Sequence, residues 1–157
     1  MSSAVYSAAV RERCREPHRA GAWPDGEPGV GTGSAGSLDA GVWTRLQVRV
    51  GADGRIDDTR FKVFGCSAAI ASASFAADAL IGATLAEGRA LASVDIVEAL
   101  GLQGDKRALA ALATDAARDA VDDWERKTGT GDWGRKAGLG ARDPGLGSGN
   151  AGLGESR

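Results

Sequence analysis

Between Val42 and Val50 the chain alternates side chains of opposite character. Val42, Thr44, Leu46, Val48 and Val50 fall on one side, and Arg45, Gln47 and Arg49 on the other. A period of two is that of a strand with one buried face. Ala52-Asp53-Gly54-Arg55 follows, and its Asp-Gly pair predicts a type I′ turn, in which both central residues take positive φ. Ile56 to Phe64 reads as the return strand, with Phe61 and Val63 out of phase with Arg60 and Lys62.

The remaining segments read as helices and loops. Val5 to Arg15 reads as a short helix ended by Pro17, because proline disfavours helix at the residue before it. Gly21 to Gly36 is rich in Gly and Pro and reads as loop, with room for one short strand. Ala68 to Ile81 predicts a helix of small residues, with Ile70, Phe75, Leu80 and Ile81 as its larger apolar groups. Thr84 and Glu87 have capping-box spacing, in which each side chain satisfies an amide at the other's position. A short helix opens at Ser93 and ends near Gly101. Asp105 to Lys127 predicts a long helix whose stripe is Leu109, Leu112, Ala116, Ala120 and Trp124.

From Thr128 to Arg157 the composition changes. Gly-Leu-Gly recurs at 138–140, 145–147 and 152–154, and large aliphatic groups are scarce. Such a segment buries too little surface to offset the entropy of ordering it, so 128–157 reads as a disordered tail after a domain at 1–127. The net charge of -2 argues against a basic nucleic-acid binder. No apolar run is long enough for a membrane span, which takes about 18 residues or more. The N-terminus lacks the pattern of a secretory signal. With 2 Cys, neither predicted to be paired, the expected compartment is the reducing cytoplasm. One His and two Cys cannot complete a four-ligand Cys/His metal site on one chain. No Ser/His/Asp triad or phosphate-binding loop is present, so independent catalysis is not expected.

Specific residues carry a resemblance. Tyr6-Ser7, Val10 and the run Glu16 to Gly21 look like an opening Tyr, helix and Asn-Pro-Arg-Asn-x-Gly turn. Phe61-Lys62, then Phe64-Gly65-Cys66 and Ile70-Ala71-Ser72-Ala73-Ser74, match the segment Phe-Lys-x-x-Gly-Cys-x-x-x-Ile-Ala-Ser-x-Ser. These features resemble the U-type iron–sulfur cluster assembly scaffolds, the IscU/NifU N-terminal family, over residues 3 to 127. The resemblance implies an α+β fold: a small three-stranded antiparallel sheet packed against helices, with a long C-terminal helix. It puts the third strand near Gly31 to Gly36.

The resemblance also implies a site where three cysteines, an aspartate and often a histidine hold zinc or a nascent [2Fe–2S] cluster. Thiolates are soft donors suited to both metals. Here the first family cysteine falls at Ala40 and its aspartate at Val42. The His-Cys pair falls at Ala108-Leu109, and the chaperone-recognition stretch survives only at Leu102 and Lys106. Cys66 is the one retained ligand. Asp39, Cys14 and His18 are the other candidate donors; Cys14 and His18 are four apart, but Pro17 interrupts a helix between them. Each also has an ordinary structural reading: Cys66 as packing, Cys14 as a half-buried helix residue, Asp39 as a turn residue and His18 as a solvated loop residue. Arg45, Arg49 and Arg60 read as a solvated sheet face, or as a contact for an acidic partner.

Three functions stay open at this point. The first is a cluster scaffold or carrier in which a homodimer combines Cys66 and Cys14 from two chains. The second is a regulatory or partner-binding homologue without the chemistry. The third is a persulfide relay through Cys66. The implied partners are a cysteine desulfurase, a chaperone and apo iron–sulfur client proteins, with no nucleic acid and no membrane.

Overall fold

A computed structural model of the chain describes residues 6–37 and 39–128. The Gly-rich tail beyond Thr128, and Val5 at the start of the first expected helix, lie outside them. The elements run α1 (Ala8–Arg15), β1 (Val30–Ser37), β2 (Val42–Val50), β3 (Ile56–Phe64), α2 (Ser67–Leu80), α3 (Leu85–Arg89), α4 (Ser93–Leu100), a 3₁₀ turn (Gly104–Lys106) and α5 (Arg107–Thr128). The three strands form one antiparallel sheet in the order β1-β2-β3. This is the expected α+β architecture.

Sterics rather than periodicity make β1 a strand. Its sequence, VGTGSAGS, has no apolar repeat. A Cβ on Gly31 would stand 2.2 Å from the Ala120 carbonyl oxygen, and one on Gly33 would stand 2.3 Å from that of Ala116. Only glycine lets the α5 backbone come so close to a strand. The same approach reshapes the expected stripe of α5. Its buried residues are chiefly Ala110, Ala113, Ala116, Ala117, Ala120 and Val121, whereas Leu109, Leu112 and Trp124 are half-buried at the margins. Leu46, Val48, Ile56, Phe61, Leu80, Ile96 and Leu100 complete the core between sheet and helices.

The β2–β3 turn is not type I′. The Gly54 amide bonds to the Gly51 carbonyl, and the Gly51 amide to the Arg55 carbonyl. Gly54 has φ +83°, while Asp53 stays at negative φ. Only glycine takes the left-handed position, and the register shifts beside the turn, as in a longer loop ending in a bulge. The capping box of α3 forms as expected: the Thr84 amide donates to Glu87 at 2.9 Å and the Glu87 amide to Thr84 Oγ1 at 3.1 Å. Helix α1 starts at Ala8, with the Ser7 hydroxyl accepting from the Val10 amide.

The outer sheet face departs from the sequence expectation of a solvated row. Gln47 is buried, because the segment after α1 crosses above it. Its amide group receives a bond from the Trp23 amide at 2.8 Å and donates to the Trp23 carbonyl and Thr32 Oγ1. The Trp23 ring lies against the guanidinium groups of Arg60, at 4.7 Å, and Arg49, at 5.3 Å. Arg49 and Arg60 pair with Asp58, and Arg45 with Asp25. These arginines hold the crossing segment in place.

Candidate functional site

Register sets the geometry at one end of the sheet. Trp43 pairs with Phe64, so Val42 comes to lie beside Gly65. Gly65 has φ +157°, and a Cβ there would be 3.1 Å from Val42 Cγ2 and 3.2 Å from Ala69 Cβ. Glycine therefore lets β3 turn directly into α2. Cys66 becomes the N-cap residue of that helix, in extended conformation.

Three separate parts of the chain meet at its sulfur. Lys106, from the turn before α5, places Nζ 3.9 Å from Cys66 Sγ. Tyr6, ahead of α1, brings its hydroxyl to bear on the sulfur, and Lys106 also sits 5.8 Å from the centre of the Tyr6 ring. Burial opposes ionisation of Cys66. The Ala69 amide, the Tyr6 hydroxyl, the Ala68 amide and the Lys106 charge outweigh it and hold the thiol below its ordinary range. The sulfur makes no regular capping hydrogen bond, so the α2 amides act through their partial positive charge. Burial, then the bond and charge of Cys66, push the Tyr6 hydroxyl up. The Cys66 charge, then that of Tyr6, does the same to Lys106. The arrangement favours a half-buried thiolate, the reactive and metal-binding form of cysteine.

The other candidate donors stand apart from this group. Cys14 Sγ is turned to the Ser67 carbonyl, 3.2 Å away. Asp39 is exposed in the turn between β1 and β2, at the Cys66 end of the sheet, with Ala40 beside it. His18 is exposed, with Nδ1 3.5 Å from Asp78 Oδ2. Val42 and Leu109 are half-buried and Ala108 is exposed, so no donor stands at those positions. Among the described residues, no three His, Cys, Asp or Glu side chains gather into a group able to hold a metal ion. The donors present on one chain do not fit a complete cluster or zinc site. Both cysteines are unpaired, and no described helix is long and apolar enough to cross a membrane.

Sequence reasoning reached Cys66 but did not place Tyr6 or Lys106 at the site. They are 60 and 40 residues away in sequence, and no spacing signals their convergence. The only available signal was that each lies in a matched stretch.

Comparison with known proteins bears on this site. The iron–sulfur cluster assembly scaffold protein IscU of Azotobacter vinelandii is 38% identical over 125 residues, covering 80% of this chain and 98% of the relative. The protein of the same name from Escherichia coli K12 is 35% identical over 123 residues, covering 78% and 96%. The crystal structure of a nitrogen-fixing NifU-like protein (N-terminal) from Brucella abortus superposes with a TM-score of 0.55 at 23% identity, covering 78% of this chain and 96% of that one. That last likeness is one of fold. The model of the NifU-like N-terminal domain matches residues 5–131, and the chain belongs to that family.

Proposed function

We propose that the chain is an iron–sulfur cluster assembly scaffold or carrier whose cargo is held through Cys66. The observation that carries this reading is the environment of Cys66, where the α2 N-terminus, Tyr6 and Lys106 favour the thiolate. The two IscU relatives support the scaffold reading over the partner-binding and persulfide-relay alternatives.

The cargo is a nascent [2Fe–2S] cluster, or zinc in its place. Four ligands are needed, and one chain brings too few together. Two copies supply two Cys66 thiolates. Cys14 and Asp39 are the candidates for the remaining positions. For Cys14 this requires giving up its bond to Ser67. Alternation between these donors suits a carrier, because a weakly completed site releases what it holds. The chain takes no catalytic role of its own. Its partners are a cysteine desulfurase that supplies sulfur, a chaperone and apo client proteins. The free thiols of Cys14 and Cys66 suit a reducing cytoplasm.

Reconstitution without oxygen, using ferric iron and sulfide so that no further oxidant is needed, tests the reading. The native chain is expected to acquire thiolate-to-iron absorption and retain iron through gel filtration, and Cys66→Ser to lose both. A native chain that stays colourless, or a Cys66→Ser variant that loads equally, overturns it.

A further inference from the structure

We propose that the groove where β3 runs into α2 docks an extended segment of a partner protein that combines acidic and large apolar side chains. The groove has a volume of about 410 Å³ and is lined chiefly by Pro17, Ala20, Trp43, Val63, Phe64 and Ile70. Its size lies in the range of built binding clefts, roughly 300–1,000 Å³. Phe64 is 55% exposed, against an otherwise well-filled core, and forms a cross-strand pair with Trp43. The crossing segment that buries Gln47 leaves this end of the outer face open.

Backbone groups suit an extended occupant. At Phe61 the outer edge of β3 is already paired: its amide donates to the Arg19 carbonyl, and its carbonyl accepts from the Gly21 amide. Two residues on, Val63 presents its amide and carbonyl to the same side, by the alternation of an antiparallel ladder. No partner for them is found among the described residues. An added strand would continue the pairing that Gly21 ends, with an apolar side chain in the groove.

Charge selects the occupant. Lys62 lies in the groove and has no ion-pair partner among the described residues. Arg45, paired across the ladder with Lys62, has only Asp25, which is 94% exposed. This rim calls for carboxylates. A second copy docked about a two-fold axis here would oppose Lys62 and Arg45 to cations like themselves. Residues 129–157 carry one more basic than acidic side chain, so they do not supply the complement. The proposal does not depend on cluster binding.

The test uses the full-length ¹⁵N-labelled chain and two synthetic peptides. One alternates Glu with Leu and Phe; its twin has Lys for every Glu. The acidic peptide is expected to shift the Val63 and Phe64 amides saturably. Lys62→Glu and Phe64→Ser, both exposed substitutions, should each weaken it about tenfold or more. Cys66→Ser should bind it unchanged, which separates this result from failure of the cluster reading. Equal binding of both peptides, shifts confined to other surfaces, or indifference to Lys62→Glu overturns the proposal. So does dilution dependence of these amides in the free protein, which assigns the groove to a second copy. Preferential binding of a 129–157 peptide there overturns it in favour of the tail.

Discussion

Cys66 owes its character to groups that arrive from elsewhere. The amides of Ala69 and Ala68, the Tyr6 hydroxyl and Lys106 stabilise negative charge on a sulfur that burial alone would keep protonated. The pH midpoint for alkylation of Cys66 by iodoacetamide should therefore lie below that of an ordinary thiol, about 8.5. Tyr6→Phe and Lys106→Met should each raise it; a midpoint unmoved by both would show that the two groups do not act on the sulfur. Gly33 makes a second local prediction. A methyl group there meets the α5 backbone, so Gly33→Ala should destabilise the fold by about 1–3 kcal/mol, read as a lower urea midpoint. The two sites differed in how visible they were. Cys66 stood out because Phe64-Gly65-Cys66 is contiguous. Tyr6, Lys106 and the need for Gly33 depend on approaches across the fold that no local window contains.

Side chains or loops occupy part of each open edge of the sheet. On β1, the Thr32 amide donates to Asp123 at 2.9 Å and the Ser34 amide to Asp119 at 3.2 Å. Carboxylates from α5 thus occupy donors that would otherwise invite another strand. The double variant Asp119→Ala/Asp123→Ala should aggregate at lower temperature than the native chain, as seen by light scattering; an unchanged onset would refute this role. On the other side, the segment after α1 is tied down by Arg19, which bonds Asp58 and Asp78 while holding φ +69°. Asp58 is its anchor. Burial opposes its charge, but the Thr59 amide, Arg60 and Arg19 win and lower its pKa below the usual carboxylate range. A depressed folded-state pKa adds stability that is present above the unfolded value and lost as pH falls through the folded one. The urea midpoint of the native chain should therefore fall below about pH 4, where an unfolded Asp takes up its proton. Asp58→Asn should be less stable near neutrality and lose less on acidification. The β2–β3 hairpin was legible because alternation and Asp-Gly coincide. The crossing of Trp23 was not, since one tryptophan in a Gly/Pro-rich stretch gives no hint of which face it covers.

The complete domain pairs a familiar framework with a thinned donor set. Alanine-lined α5 pressed on glycine-lined β1 gives a compact frame, and one end of that frame presents a single thiol whose ionisation its surroundings favour. The order of hairpin, cysteine and helices was readable because periodicity and motif agreed along that stretch. That apolar residues stand at Ala40, Val42, Ala108 and Leu109, where the resemblance leads one to expect donors, was readable from the sequence alone. That Cys14 points at a carbonyl rather than at Cys66 was not, because it depends on how α1 packs against α2. In the proposed reading, a second chain completes the site that one chain leaves short of donors. Native mass spectrometry of the anaerobically reconstituted protein tests this most directly. The prediction is a dimer carrying one cluster, two irons and two sulfides, that disappears with Cys66→Ser; a cluster borne by a monomer, or by the Cys66→Ser dimer, would contradict it.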